Sequence, residues 1–133
     1  MTRFLAVLTL VFGLSTGAFA QNAEIEATIE GQLQAFLVDD FYEAFTYADE
    51  SIKRIFQTPE RFGDMVTNGY PMVHRPRTYE FQELREVAGG LYQNVLIEDQ
   101  FGNFHIAEYA MRATPDGWKI RGVQILPAPD VGA

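Results

Sequence analysis

Apolar residues Ile25, Ile29, Leu33 and Phe36 recur at helical spacing among Glu24, Glu26, Glu30 and Gln34, which predicts an amphipathic helix from about Ala23 to Val38. Asp39 or Asp40 can cap a second, short helix with Phe41, Ala44, Phe45 and Ala48 on one face, and Ser51 offers a further cap before Ile52, Ile55 and Phe56. Thr58-Pro59-Glu60 then reads as a helix start, with threonine at the N-cap and proline at the first helical position. Phe62, Met65 and Val66 form the apolar side of this third helix, Gly69 ends it, and Tyr70-Pro71 cannot continue it.

After Arg77 the period shortens from helical to alternating. Four strands are predicted: Arg77 to Glu86, Leu91 to Asp99, Phe104 to Ala113, and Trp118 to Leu126. Gly89-Gly90, Gly102-Asn103 and Thr114-Pro115-Asp116-Gly117 supply the turns, so consecutive hairpins make an antiparallel meander. The tail Pro127-Ala128-Pro129 cannot extend the hydrogen-bond ladder. Three N-terminal helices followed by a four-stranded sheet define an α+β domain in which the helices cover one face of the sheet.

The beginning of the chain reads differently. Arg3 precedes an apolar run from Phe4 to Leu14, followed by small residues that end in Ala18-Phe19-Ala20, the pattern of a secretory signal cleaved after Ala20. A membrane-spanning helix needs about 20 apolar residues, and this run is about half that length and is interrupted by Gly13 and Ser15. Residues 1–20 are therefore expected to be removed on export. Residues 21–133 are then one domain, periplasmic or secreted and free of the membrane.

Eighteen acidic against ten basic residues, net charge −8, argue against a nucleic-acid partner, which selects a basic surface. The absence of cysteine excludes disulfides, thiol nucleophiles and thiolate metal sites. With two histidines in all and no supporting cluster, no metal site is expected, and no phosphate loop or other fingerprint calls for a cofactor.

An N-terminal helical pair, a third helix and a meander closing on Asp116-Gly117-Trp118-Lys119-Ile120 resemble the cone fold of the nuclear-transport-factor-2-like (NTF2-like) proteins. More narrowly, the chain beyond Ala20 resembles a family of exported bacterial proteins catalogued as domain of unknown function 4864. The residues that carry this likeness include Gln32 to Phe36, Asp39-Asp40, Ala44-Phe45, Gly69-Tyr70-Pro71, Arg75-Pro76, Glu83-Leu84-Arg85 and Gly122-Val123. The resemblance implies the curved four-stranded sheet of the cone and assigns no catalytic residue.

Two constellations carry possible chemistry. Tyr70, His74, Arg75 and Arg77 gather in the stretch joining helices to sheet, where paired guanidinium groups suit an anionic ligand. Equally, the arginines can pair with the domain's own Asp39, Asp40 or Glu80 and lock the loop in place. His74 stands where the similar family suggests a larger aromatic residue, which argues against imidazole chemistry shared by the family. On the third strand, Glu108 shares a face with Phe104, Ile106 and Ala110, a setting that would make a carboxylate a general base, with Tyr109 or Tyr70 as hydrogen-bond donor. The competing reading puts Glu108 in solvent.

Two functions follow. The first is a non-enzymatic exported module that binds a small apolar or anionic ligand or serves as an accessory, protein-interaction domain. The alternative is a cofactor-free isomerase or cyclase using Glu108. Strand two is apolar on both sides through Leu91, Val95 and Ile97 against Tyr92 and Leu96, so a homodimer through the uncovered sheet face is also expected.

Overall fold

The computed structural model describes residues 16–128. The apolar run from Phe4 to Leu14, on which the expected signal rests, and the end of the proline-rich tail lie outside the described residues. Five helices precede the sheet: α1 (Thr16–Leu37), α2 (Phe41–Thr46), α3 (Glu50–Phe56), α4 (Pro59–Gly69) and α5 (Pro71–His74). The strands are β1 (Thr78–Val87), β2 (Gly90–Glu98), β3 (Phe104–Thr114) and β4 (Gly117–Pro127), all antiparallel and in sequence order. The α+β class is as expected, whereas the helix count among the described residues is five rather than three.

The two additional helices have different causes, one long-range and one local. Asp49, not Ser51, is the N-cap of α3; its carboxylate accepts the Ser51 amide and, at 2.7 Å, the Ser51 hydroxyl. The chain breaks there because Ala48 pairs in parallel with Ile120 of β4, and the Asp49 amide donates to the Ile120 carbonyl at 2.8 Å. Burial pushes the Asp49 carboxyl up, but Ser51, Arg112 and the Glu50 amide together hold it below its ordinary value. Pro71 stops α4 from continuing yet is well suited to begin a new turn, and α5 is that single turn. Asp40 caps α2 and Thr58 caps α4, as the residue pattern predicts.

α1 buries Ile25, Ile29, Gln32, Leu33 and Phe36 against the sheet and the shorter helices. Close helix packing relies on Gly63, where a Cβ would lie 2.6 Å from the Phe41 ring. On the sheet, Gln93, Val95 and Ile97 of β2 and Ala107, Tyr109 and Met111 of β3 are buried on the helix side. Tyr92, Leu96, Ile106 and Glu108 point the other way, onto a face that no described helix covers.

Two irregularities bend the strands. One lies in β1 between Phe81 and Leu84, where the buried Gln93 amide donates to the carbonyls of Gln82 (3.0 Å) and Glu83 (3.4 Å). The other sets Arg121 as an extra residue of β4 opposite the step from Ala110 to Met111. The first hairpin turns through Ala88 and Gly89, both at positive φ (51° and 79°), one residue earlier than Gly89-Gly90.

Candidate functional site

A cavity of about 310 Å³ opens between the helical layer and β4. Phe36 of α1, Phe56 of α3, Phe62 and Met65 of α4 and Val123 of β4 supply an almost wholly apolar wall. Gln32, Tyr70 and Arg121 interrupt it. Phe62 anchors the wall through contacts with the rings of Phe36, Phe45 and Phe56 at centroid distances of 5.3 to 6.0 Å. A volume of this size falls at the small end of ligand pockets, and the ratio of apolar to polar lining is typical of them.

Gln32 is buried on the helical stripe, and its Nε2 donates to the Ala44 carbonyl at 3.1 Å. A carbonyl can only accept, so the amide orientation is fixed, leaving Oε1 and the second N–H of Nε2 unused. That oxygen accepts no hydrogen bond among the described residues. Tyr70 is held by its backbone: its amide donates to Val66, and its carbonyl receives the amides of Val73 and His74. The phenol is left without a partner among the described residues.

His74 and Arg75 do not meet Tyr70 in this cavity. Both converge on Asp39, His74 Nε2 at 2.8 Å and Arg75 Nη2 at 2.9 Å from the same Oδ1. Arg75 also donates to the Phe36 carbonyl at the end of α1, and its own carbonyl accepts from Gln100 at 3.0 Å. Hydrogen bonds from His74 and then Arg75 hold the Asp39 carboxyl below its ordinary value. Of the two readings of this stretch, the geometry found is the loop fastened to the domain's own aspartate. Arg77 is exposed at the head of β1; its amide donates to Glu98, and its guanidinium makes no ion pair among the described residues.

Glu108 and Tyr109 occupy opposite faces of β3. Glu108 lies on the uncovered face, its side chain 14% exposed, with Arg85 Nη2 at 2.7 Å from Oε2. Asn94 and Gln124 are its cross-strand neighbours. The structure therefore does not bring Glu108 to the cavity. Tyr109 is fully buried on the helix side, and its hydroxyl has no partner among the described residues. Burial pushes that phenol well above the usual tyrosine range, so it stays neutral.

His105 shares the Tyr109 face and bonds Asp99 Oδ2 through Nε2 at 2.8 Å, while Asp99 Oδ1 accepts the amides of Phe101 and Asn103. The His105 bond first, with these amides, holds the Asp99 carboxyl below its ordinary value. This pair orders the β2–β3 turn. The sequence carried its signal as Asp99-Gln100-Phe101-Gly102-Asn103, an aspartate two residues before the turn glycine's neighbour. Gln32 had no such signal, because a lone amide on an apolar stripe reads as a solvent-side residue. No described helix is long and apolar enough to cross a membrane.

An α+β domain with helices on one face of an antiparallel meander, enclosing a small apolar cavity, is the class these features define. Residues 18–133 match the family described as Domain of unknown function (DUF4864), and the chain belongs to that family. No curated protein and no solved structure matches the chain.

Proposed function

We propose that this protein is an exported, non-enzymatic module that binds a small, mainly apolar molecule in the cavity between α1, α3, α4 and β4. The observation that carries this reading is the cavity itself, about 310 Å³ walled by phenylalanine, methionine and valine side chains that a tightly packed core would have filled. Glu108, the carboxylate on which an isomerase or cyclase would rest, stands on the other sheet face with Arg85. Export and cleavage after Ala20 follow from the signal pattern, which delivers the domain to the periplasm or the medium. Titration with the neutral fluorophore N-phenyl-1-naphthylamine tests the reading: wild-type protein enhances its fluorescence saturably, and Met65→Trp, which fills the cavity, abolishes the enhancement. An equal response from both proteins would overturn it.

The uncovered sheet face supports a second property, a homodimer. Leu96, Ile106 and Leu126 share one row of it, and the buried Asn94 Oδ1 in the next row has no hydrogen-bond partner. A second copy of the face supplies apolar cover for the first row.

A further inference from the structure

Resting on the cavity reading above, we infer that the ligand is uncharged and carries a hydroxyl or N–H group that donates to Gln32 Oε1. The wall contains no carboxylate. Its one cationic residue, Arg121, is drawn to the opposite sheet face, where its guanidinium lies 5.9 Å from the Tyr92 ring centroid with Nη2 3.5 Å from the Tyr92 hydroxyl. Arg75, the cation nearest in sequence to the lining residues Tyr70 and Val73, is committed to Asp39 and the Phe36 carbonyl. An anionic head group entering this cavity would lose its water and gain no counter-charge, a cost that excludes it relative to a neutral analogue.

A neutral polar group meets a different wall. With one Nε2 hydrogen held by Ala44, Gln32 keeps Oε1 as an acceptor beside a second N–H, so a ligand donor satisfies the oxygen and a ligand without one leaves it bare. Tyr70, whose hydroxyl both donates and accepts, lines the same cavity. A hydroxyl, able to donate to Gln32 and accept from Tyr70, uses both.

Three displacers of one ring size separate charge from hydrogen bonding in competition with N-phenyl-1-naphthylamine: 1-naphthol, 1-methylnaphthalene and 1-naphthoate. The expected order is naphthol tightest, methylnaphthalene about fivefold to tenfold weaker, as the loss of one net hydrogen bond implies, and naphthoate weakest. Gln32→Met keeps side-chain length, and the Ala44 carbonyl retains the Tyr47 amide at 3.3 Å, so this variant is expected to fold and to bind naphthol and methylnaphthalene alike. Tyr70→Phe, milder still, reduces the naphthol preference without removing it. Naphthoate binding as tightly as naphthol, or a naphthol preference that survives Gln32→Met, would overturn the inference while leaving the cavity reading intact. Failure of every naphthalene to bind wild-type protein would overturn both.

Discussion

Arg75 and Asp39 meet at 2.9 Å across a gap of thirty-six residues in sequence, and the aspartate reaches that position from a left-handed backbone, φ 55°. Left-handed geometry ends α1 and swings the carboxylate toward the α5 turn, where the Asp39 amide still bonds the Phe36 carbonyl that Arg75 also takes. One guanidinium thus closes the end of α1 and ties it to the chain entering the sheet. Arg75→Ala is expected to lower the urea midpoint by the equivalent of about 1 to 2 kcal/mol, the cost of the Phe36 carbonyl's charged hydrogen bond. The exposed Asp39 partner adds little. An unchanged midpoint would return Arg75 to the list of free anion-binding groups.

Acid should act through the same aspartate and through Asp99. Both carboxyls have folded pKa values depressed chiefly by a histidine hydrogen bond, His74 for Asp39 and His105 for Asp99. A depressed folded value means that the stability they contribute is complete above the ordinary aspartate range, about pH 4, and is lost as the pH falls through the folded value. Asn tolerates left-handed backbone nearly as well as Asp, so Asp39→Asn removes the charge without changing the cap. Its thermal midpoint is expected to lie below wild type at pH 7, the offset shrinking below the ordinary aspartate range and vanishing once the pH falls past the depressed folded value of Asp39. A constant offset across that range would show that the charge is not what the pairing stabilises.

Tyr109→Phe is expected to be neutral or stabilising, by up to about 1 to 2 kcal/mol. Its hydroxyl is fully buried without a partner, so the folded state forfeits a hydrogen bond that the unfolded chain makes with water. Guanidinium melts of the two proteins compare this directly. Clear destabilisation would mean that the hydroxyl finds a buried partner, an ordered water included.

Much of this architecture was legible because its signals are local. Thr58-Pro59 sets the start of α4 by the threonine's bond to the Arg61 amide, and Thr114 to Gly117 turns β3 into β4 with glycine at φ 102°, each within four residues. The break between α2 and α3 was legible only as a cap at Ser51; it falls at Asp49 because Ala48 leaves the helix to pair with Ile120, a residue seventy-two positions away. The site divides in the same way. Asp39 was among the partners open to Arg75, because charge complementarity is visible in composition, but that His74 would share its Oδ1 was not. Gln32 became a cavity residue only when α2 brought the Ala44 carbonyl to its amide.

Glu108→Gln separates the two sheet faces functionally. The carboxylate lies with Arg85 on the face away from the cavity, so binding of N-phenyl-1-naphthylamine should stay within about twofold of wild type, a difference of less than about 0.5 kcal/mol. Stability should fall modestly, because Arg85 loses its partner. A loss of cavity binding in a folded variant would revive the enzymatic reading of this carboxylate.

The uncovered face also has a direction. Arg121, over Tyr92, and Arg85, paired with Glu108, lie toward the β1–β2 turn, whereas Glu80 and Glu98 lie toward the opposite end, with the Leu96, Ile106 and Leu126 row between Glu98 and the central Asn94, Glu108 and Gln124 row. Two copies packed with their strands antiparallel set each arginine end against a carboxylate end, and parallel packing sets like charges together, so charge selects the antiparallel twofold arrangement. Light scattering at micromolar concentration is expected to give twice the chain mass. Leu96→Lys, which puts an unpaired charge in the apolar row, is expected to give a monomer that still binds N-phenyl-1-naphthylamine, since Leu96 faces away from the cavity. Raised salt should weaken the dimer by screening the end charges. A wild-type monomer at these concentrations, or a Leu96→Lys variant that stays dimeric, would mean that this face is not where two copies meet.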